Sequence, residues 1–328
     1  MSAPLSFVDL FCGAGGWTLG LKRAGWIHKG AVDNDVHALE TYQANHGSAG
    51  VVAADVKKLR IADLVAAIGT ESVDAIVASP PCQGFSSAGP RRVGDPDDNL
   101  CDSVARIAKG LHAKLVVIEN VAGMVSKKDS TGRRIIDNFV NKLRRFGYDD
   151  VDWKLLRAQE FGVPQTRTRL ILVATRRGAD TPPAKALIPD APSQMSSKLS
   201  VRGLLQPKRS VTDDFYWMTD RKRRYYESRH AADRTRAYVR FIDRDAVAST
   251  VRANYAKSRG AEALLRYSDG SMRMLTELEI ARIQSFPDTY QFIGARTHVY
   301  RQIGNAFPPL LAHRIGRHVA KVFRRKLS

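Results

Sequence analysis

Cysteine is scarce. The 328 residues hold only Cys12, Cys82 and Cys101, far apart and odd in number. That argues against a disulfide framework, and no Cys-x-x-Cys pair suggests zinc. Reduced thiols in a cytoplasmic setting are the simplest reading. No apolar run approaches the ~20 residues of a membrane-spanning helix. The opening MSAPLSFVDLFCGAGG has no basic start before an apolar stretch, so it does not read as a secretory signal. No internal repeat is visible. Acidic residues are the other deficit: 33 Asp and Glu stand against 52 Lys and Arg, a net charge of +19. Hydrophobic residues at 44% and charged residues at 26% are ordinary for a folded chain. The sign of the charge is the anomaly, and it points to a polyanion: nucleic acid first, an anionic membrane surface second.

The first half alternates short apolar runs with longer amphipathic stretches. The spacing predicts strands at 5–11, 28–33, 50–55, 72–79, 114–120 and 170–175. It predicts helices at 16–24, 36–46, 99–112 and 133–146, the last with Ile135, Ile136, Phe139, Val140 and Leu143 at helical spacing. Such βαβ units imply an α/β fold with a mostly parallel sheet and ligand sites at the carboxyl ends of its strands. After Arg177 the pattern changes. Residues 178–198 are rich in Pro, Ser and Ala and read as a linker. Residues 199–270 are irregular, basic and aromatic, and 176–270 holds 20 Lys/Arg against 11 Asp/Glu. Helix returns at 275–285 and from Gly304 onward, where Arg314 to Lys326 brings six Lys/Arg and no acid. The expected organisation is a catalytic domain over 1–178, a second domain over 179–272 and a return to the first over 273–328.

Five segments carry chemistry. DLFCGAGG, from Asp9 to Gly16, joins a strand to a helix, where glycines admit a ligand to the backbone and the helix start favours negative groups. Asp33 ends the next strand, the position from which a carboxylate bonds ribose hydroxyls, and Asp55 ends the third. The pattern suits a nucleoside-containing cofactor, but it is not GxGxxG, which argues against NAD; an ordinary tight turn with two solvated aspartates is the plainer alternative. SPPCQGFS, from Ser79 to Ser86, holds Cys82 on a stiff turn at a strand end. A lone cysteine is commonly a buried small hydrophobe, but these polar surroundings favour a nucleophilic thiolate. The glycine-rich, charged stretch after it reads as a loop able to close over a substrate. Glu119 ends a strong apolar strand, as an acid or as an ion-pair partner. QTRTR places Arg167 and Arg169 on one strand face, either to grip an anion or carbonyl or simply solvated. Gly304–Asn305 reads as a turn and N-cap before the last helix.

In this order and spacing PPCQGFS, ENV, QTRTR and GNAFPP resemble the DNA (cytosine-5) methyltransferases, over nearly the whole chain except about 178–245. The resemblance implies a Rossmann-like S-adenosylmethionine-dependent methyltransferase: a mixed sheet with helices on both faces, plus a smaller irregular target-recognition domain. It implies S-adenosylmethionine as cofactor, held by Phe11, Ala14, Gly15, Gly16, Asp33, Asn34, Asp55, Val56, Pro81, Leu100, Asn305 and Ala306. It makes Cys82 the nucleophile towards carbon 6 of cytosine, Glu119 the partner of the ring nitrogen and exocyclic amine, and Arg167 and Arg169 a further clamp on the base. The target cytosine would be flipped out of the duplex. The loop 83–98 would close on it, with Ser86, Arg91 and Arg92 on the DNA. Thr250 sits where the family places a threonine that steadies the flipped nucleotide, and Arg252 lies beside it. RKRRYYESR at 221–229 suits a groove-facing element, or else a solvated charged helix.

The expected partner is double-stranded DNA. A restriction endonuclease is a functional partner of such an enzyme, which can equally be solitary. No metal and no membrane partner is expected, and a monomer in the bacterial cytoplasm, near the nucleoid, is the simplest state. Two alternatives stand beside this reading. One is tRNA methylation, against which the absence of that branch's Cys-Phe-Thr tripeptide argues. The other is a DNA-binding protein that has lost catalysis, against which the intact Cys82, Glu119, Arg167 and Arg169 argue.

Overall fold

The structure, a computed structural model, describes residues 3–81, 100–129, 132–192, 199–232, 240–257 and 263–327. In chain order the elements are β1 (Ser6–Leu10), α1 (Gly16–Arg23), β2 (Ile27–Asp33), α2 (Val36–His46), β3 (Val51–Ala53), α3 (Ile61–Ile68) and β4 (Ala75–Ala78). Then come α4 (Leu100–Gly110), β5 (Leu115–Val121), α5 (Gly123–Ser126), α6 (Ile135–Arg145), β6 (Asp150–Arg157) and β7 (Thr168–Thr175). The remainder is α7 (Asp220–Ala232), β8 (Leu264–Arg266), β9 (Met272–Met274), α8 (Glu277–Ile283), α9 (Arg296–Asn305) and α10 (Pro309–Leu327).

The strands β1 to β7 form one mixed sheet of order β3-β2-β1-β4-β5-β7-β6. The first five are parallel, and β7 is antiparallel to both β5 and β6. Its central strands are apolar almost throughout because both faces are covered. Alternate residues divide between two cores. Ile76, Ala78, Val116, Ile118, Leu170 and Leu172 join α4 and α6 in one. Val77, Leu115, Val117, Ile171 and Val173 join α1 and α10 in the other. On that second face Gly20 lets α1 and α10 touch: a Cβ there would stand 2.4 Å from both the Pro309 carbonyl and Ala312 Cβ.

All six expected strands and the first four expected helices are present. The edge strand β6, the helices α3, α7 and α9 and the β8–β9 hairpin add to them. One expectation shifts. Ala184, Leu187 and Ile188, inside the expected linker, are buried beneath the sheet, and Ala184 N–H donates to the Asp150 carboxylate at 2.8 Å. The third core takes in residues from Val201 to Ala306, α8 and α9 among them, while Tyr290, Gln291 and Gln302 also bond the glycine loop and α2; Phe307 joins the core beneath the sheet.

That third core contains a fully buried ion pair. Arg273 donates to both oxygens of Glu279 at 2.7 Å, and both side chains are 0% exposed. Glu279 also accepts from the Gln206 and Thr276 amides, closing a capping box at the start of α8. The Tyr267 hydroxyl and the Met274 carbonyl complete the guanidinium's partners. A buried charge without its partner is far more costly than the intact pair is favourable. Glu279→Ala should therefore cost about 3–5 kcal/mol, read as a lower urea midpoint. The apolar pair Arg273→Met with Glu279→Leu should recover most of that loss.

Candidate active site

The five parallel strands end along one edge of the sheet, and the residues of interest follow the strand order. Asp55 lies beyond β3, Asp33 ends β2, the glycine loop follows β1, Pro80 and Pro81 follow β4, and Glu119 lies near the end of β5. The connections run outward from β1 through β2 to β3 and, on the other side, from β4 to β5. The edge between β1 and β4 is thus the switch point where such sheets open a crevice.

On the β1–β3 side the glycine loop is held from several directions. Asp33 accepts from the Gly13 amide at 2.8 Å and from the Asp35 amide at 2.9 Å, so β2 tethers the loop after β1. Burial pushes the Asp33 carboxyl up, against those amide bonds. Tyr290 donates to the Ala14 carbonyl and meets His46 Nε2 at 3.0 Å. Gly16 is a position of close approach: a Cβ there would stand 2.0 Å from the Phe307 carbonyl oxygen. One residue on, the Trp17 ring stacks on Phe307 at 4.2 Å and its Nε1 donates to Ser79 Oγ. This brings the C-terminal segment, with Asn305 and Ala306, to the glycine loop. Phe11 and Asp55 are half-buried, Ala14, Val56 and Leu100 are buried, and Asn34 and Pro81 are exposed. Asp55 accepts from the Lys57 amide at 2.9 Å.

Beneath this loop lies a chain of buried polar groups. Thr18 Oγ1 donates to Asp9 Oδ2 and also meets the Tyr42 hydroxyl, which meets His28 Nε2, each contact 2.8 Å long. Asp9 is fully buried, and its Oδ1 has no hydrogen-bond partner. Burial pushes its carboxyl up to about 7, against the Thr18 bond. Burial also lowers His28 to about 4 and raises the Cys12 thiol.

On the β4–β5 side, Arg169 Nε stands 2.8 Å from Glu119 Oε1, across the antiparallel β5–β7 ladder. Arg169 also donates to the Thr168 carbonyl, so its plane is fixed. Asn120 Nδ2 donates to the Pro80 carbonyl at 3.3 Å, linking the end of β5 to the turn after β4. Arg167 lies one residue before β7, in different surroundings from Arg169. It is 2% exposed and donates to the carbonyls of Val251 and Gly304 at 3.1 and 3.2 Å, joining three segments of backbone. Thr250 Oγ1 donates to the Thr166 carbonyl at 3.3 Å, and Thr166 N–H donates to Ala248. The stretch with Thr250 and Arg252 is thus laid along the start of β7. Gly304–Asn305 departs from expectation: it closes α9, and α10 begins only at Pro309. Cys82, Ser86, Arg91 and Arg92 lie outside the described residues.

Sequence reasoning missed Asp9, Thr18, Tyr42, Tyr290 and Gln284. Asp9 alternates inward from Val8 and Leu10, a signal visible in the strand pattern. Gln284 donates to the Ile303 and Ala306 carbonyls, a tertiary contact without local signature.

The family model for C-5 cytosine-specific DNA methylases matches residues 5–321. The chain belongs to that family. It is 30% identical to the type II methyltransferase M.XorII of Xanthomonas oryzae over 99% of this chain and 87% of that protein. It is 33% identical to M.HindV of Haemophilus influenzae over 93% of each. Among solved structures, the methyltransferase EhMeth of Entamoeba histolytica has a TM-score of 0.75 at 15% identity, covering 100% of both chains. The Dnmt2 methyltransferase of S. pombe has 0.71 at 20%, covering 97% of this chain and 99% of that one; at such identities the likeness is one of fold. The methyltransferase is thus an enzyme of cytosine carbon 5 that uses S-adenosylmethionine. Its glycine-loop side fits that group: the Gly13 amide is fixed by Asp33, Gly13, Gly15 and Gly16 carry no Cβ, and carboxylates end β2 and follow β3.

The buried carboxyl beneath the loop has a consequence for stability. Asp9 takes its proton at 3.8 when unfolded and about 7 when folded. Between those values the folded state holds the extra proton, so stability falls as pH rises through the window. His28 and His46, lowered to about 4 and about 3, act in the opposite sense below pH 6.5, so the Asp9 contribution is read as a difference. In denaturant unfolding from pH 4 to 7, the stability of the intact chain relative to Asp9→Asn should fall as pH rises, and a difference that does not change with pH would place the effect elsewhere.

Proposed function

We propose that the methyltransferase modifies one cytosine of a specific duplex sequence through a covalent adduct with Cys82. The observation that carries this reading is the Glu119–Arg169 pair, 2.8 Å apart at the carboxyl end of β5, beside the turn that leads from Pro81 into Cys82. S-adenosylmethionine, when bound, supplies an electrophilic methyl group. Asp33 and Asp55 hold its ribose and adenine ends, and the loop from Phe11 to Gly16, with Val56, Pro81, Leu100, Asn305 and Ala306, encloses the remainder.

Carbon 5 of cytosine is a weak nucleophile. The Cys82 sulfur forms a bond to carbon 6, which ends the ring's aromaticity and leaves electrons to be accommodated. The Glu119 carboxyl, oriented by Arg169, delivers a proton to ring nitrogen 3, across the ring from carbon 6, and takes it back when the aromatic ring reforms. Carbon 5 then carries enamine character and accepts the methyl group. Loss of the carbon-5 proton to a base restores the double bond and expels the Cys82 thiolate. Arg169 steadies charge on the base through its fixed guanidinium. Arg167 acts at one remove, setting the positions of Val251 and Gly304. Thr250 and Arg252, with Ser86, Arg91 and Arg92 of the loop after Cys82, hold the flipped nucleotide's backbone. Residues 199–272 read the target. Its likeness to type II methyltransferases supports a role beside a restriction endonuclease, as a functional partner. The enzyme itself acts as a monomer.

Transfer of labelled methyl from S-adenosylmethionine to genomic duplex DNA tests the reading. Cys82→Ser should abolish transfer and also abolish trapping on 5-fluorocytosine DNA. Glu119→Gln should lower the rate by about 10²–10⁴-fold. Absence of transfer from the intact chain to any duplex would overturn the assignment, and bisulfite sequencing of modified DNA gives the target site.

A further inference from the structure

The charge at the end of the chain does not border the site just described. α10 runs 19 residues, about 28 Å. It starts beside the glycine loop and passes under the sheet to the opposite edge. There Trp26, preceding β2, donates to the Gly316 carbonyl, and Lys326 bonds the Thr181 carbonyl beyond β7. Its buried face is Leu311, Ala312, Ile315, Val319 and Phe323. The opposite face carries Arg314, Arg317, Lys321, Arg324 and Arg325, all exposed, at the spacing of one helical stripe. α1 alongside ends in exposed Lys22 and Arg23, and neither helix contains an acid. Burial first, then the Arg317 and Arg314 guanidiniums and Arg23, pulls His313 below its usual range.

Several surface cations elsewhere meet acids: Arg202, Arg282, Arg296 and Arg301 each pair with an aspartate. Among the described residues Arg314, Arg317, Lys321 and Arg324 form no ion pair, whereas Lys326 pairs with Asp180. A concentrated field of one sign is therefore left facing solvent. Arg314 to Arg324 spans about 15 Å, and duplex DNA presents a charge every ~1.7 Å of its axis. An anionic membrane is a poorer match, because a membrane-lying helix inserts apolar side chains and those of α10 are in the core.

We propose that the outward face of α10, with the end of α1, is a second DNA-contact surface, holding a duplex segment other than the one whose cytosine enters the site. It binds phosphates without reading sequence and keeps the enzyme on DNA between targets. The inference rests on DNA being the substrate, but its test does not need methyl transfer.

Binding of an alternating A·T duplex, which contains no cytosine, is measured against salt for the intact chain and for the variant Arg314→Gln, Arg317→Gln, Lys321→Gln. The slope of log affinity on log salt should drop by about 2–3, with an unchanged thermal transition and an unchanged rate on a short target duplex. The control Arg144→Gln with Arg145→Gln removes exposed cations from α6, on the other face of the sheet, and should change the slope by less than about one. An unaltered slope in the stripe variant, or an equal change per charge in the control, would overturn the proposal. So would an unaltered slope accompanied by loss of sedimentation with phosphatidylserine vesicles, which would assign the stripe to membranes. Because the duplex offers no target base, the slope reports on the stripe even where methyl transfer fails.

Discussion

A single close approach organises the molecule. The Phe307 carbonyl occupies the space that any side chain at Gly16 would need. The chain's last segment can therefore lie against its first loop, with Trp17 stacked on Phe307 to fix the seating. Three things depend on this contact. It brings Asn305 and Ala306 to the cofactor side. It starts α10 along the groove beside α1, where Gly20 allows a second intimate contact. It also anchors the third core, whose end at Ala306 leads directly into Phe307. A methyl group at position 16 would separate the two lobes as well as crowd the loop.

Much of the catalytic half was legible because its signals are local. Continuous apolar runs ending in glycine, proline or a carboxylate mark buried parallel strands, and β1, β2, β4 and β5 all carry such endings. The motif residues then fall along one edge in strand order, as the alternation of strand and helix requires. The edge strand β6 carries Asp150, Asp152 and Lys154 in alternation with Val151, Trp153 and Leu155, the pattern of a strand with one solvated face, and lacks the continuous apolar run by which the other strands are read. The core to which the last part of the chain belongs was not legible for a different reason. α8 and α9 are amphipathic, but nothing in their periodicity says which core receives their apolar faces. The two arginines of QTRTR show the limit most plainly. Their spacing suggests equivalence, yet Arg169 meets a carboxylate across a ladder while Arg167 is enclosed by carbonyls from distant segments.

The charges divide by depth. Around the glycine loop the ionisable groups are buried: Asp9, Cys12 and Tyr42 are pushed towards their protonated forms, while His28 and His46 are pushed towards theirs without a proton. The support of the loop is thus built from groups held uncharged near neutral pH, apart from Asp9, which titrates at about 7. The Arg273–Glu279 pair is the exception in the third core, ionic and saturated with partners. The net +19 belongs to the surface. Part of it lies on the second, smaller region, and part on α10 at the far edge.

Arg167 also bears on what its junction demands of the sequence. Residues 240–257 meet the start of β7 partly through main-chain atoms: the Ala248 amide and carbonyl against Pro164 and Thr166, and the Val251 carbonyl against the Arg167 guanidinium. Main-chain groups are indifferent to the side chains they carry. These bonds therefore place no demand on which residues stand at 248 and 251, whereas the side-chain contacts of Thr250, Gln165 and Tyr290 tie the same junction to particular residues.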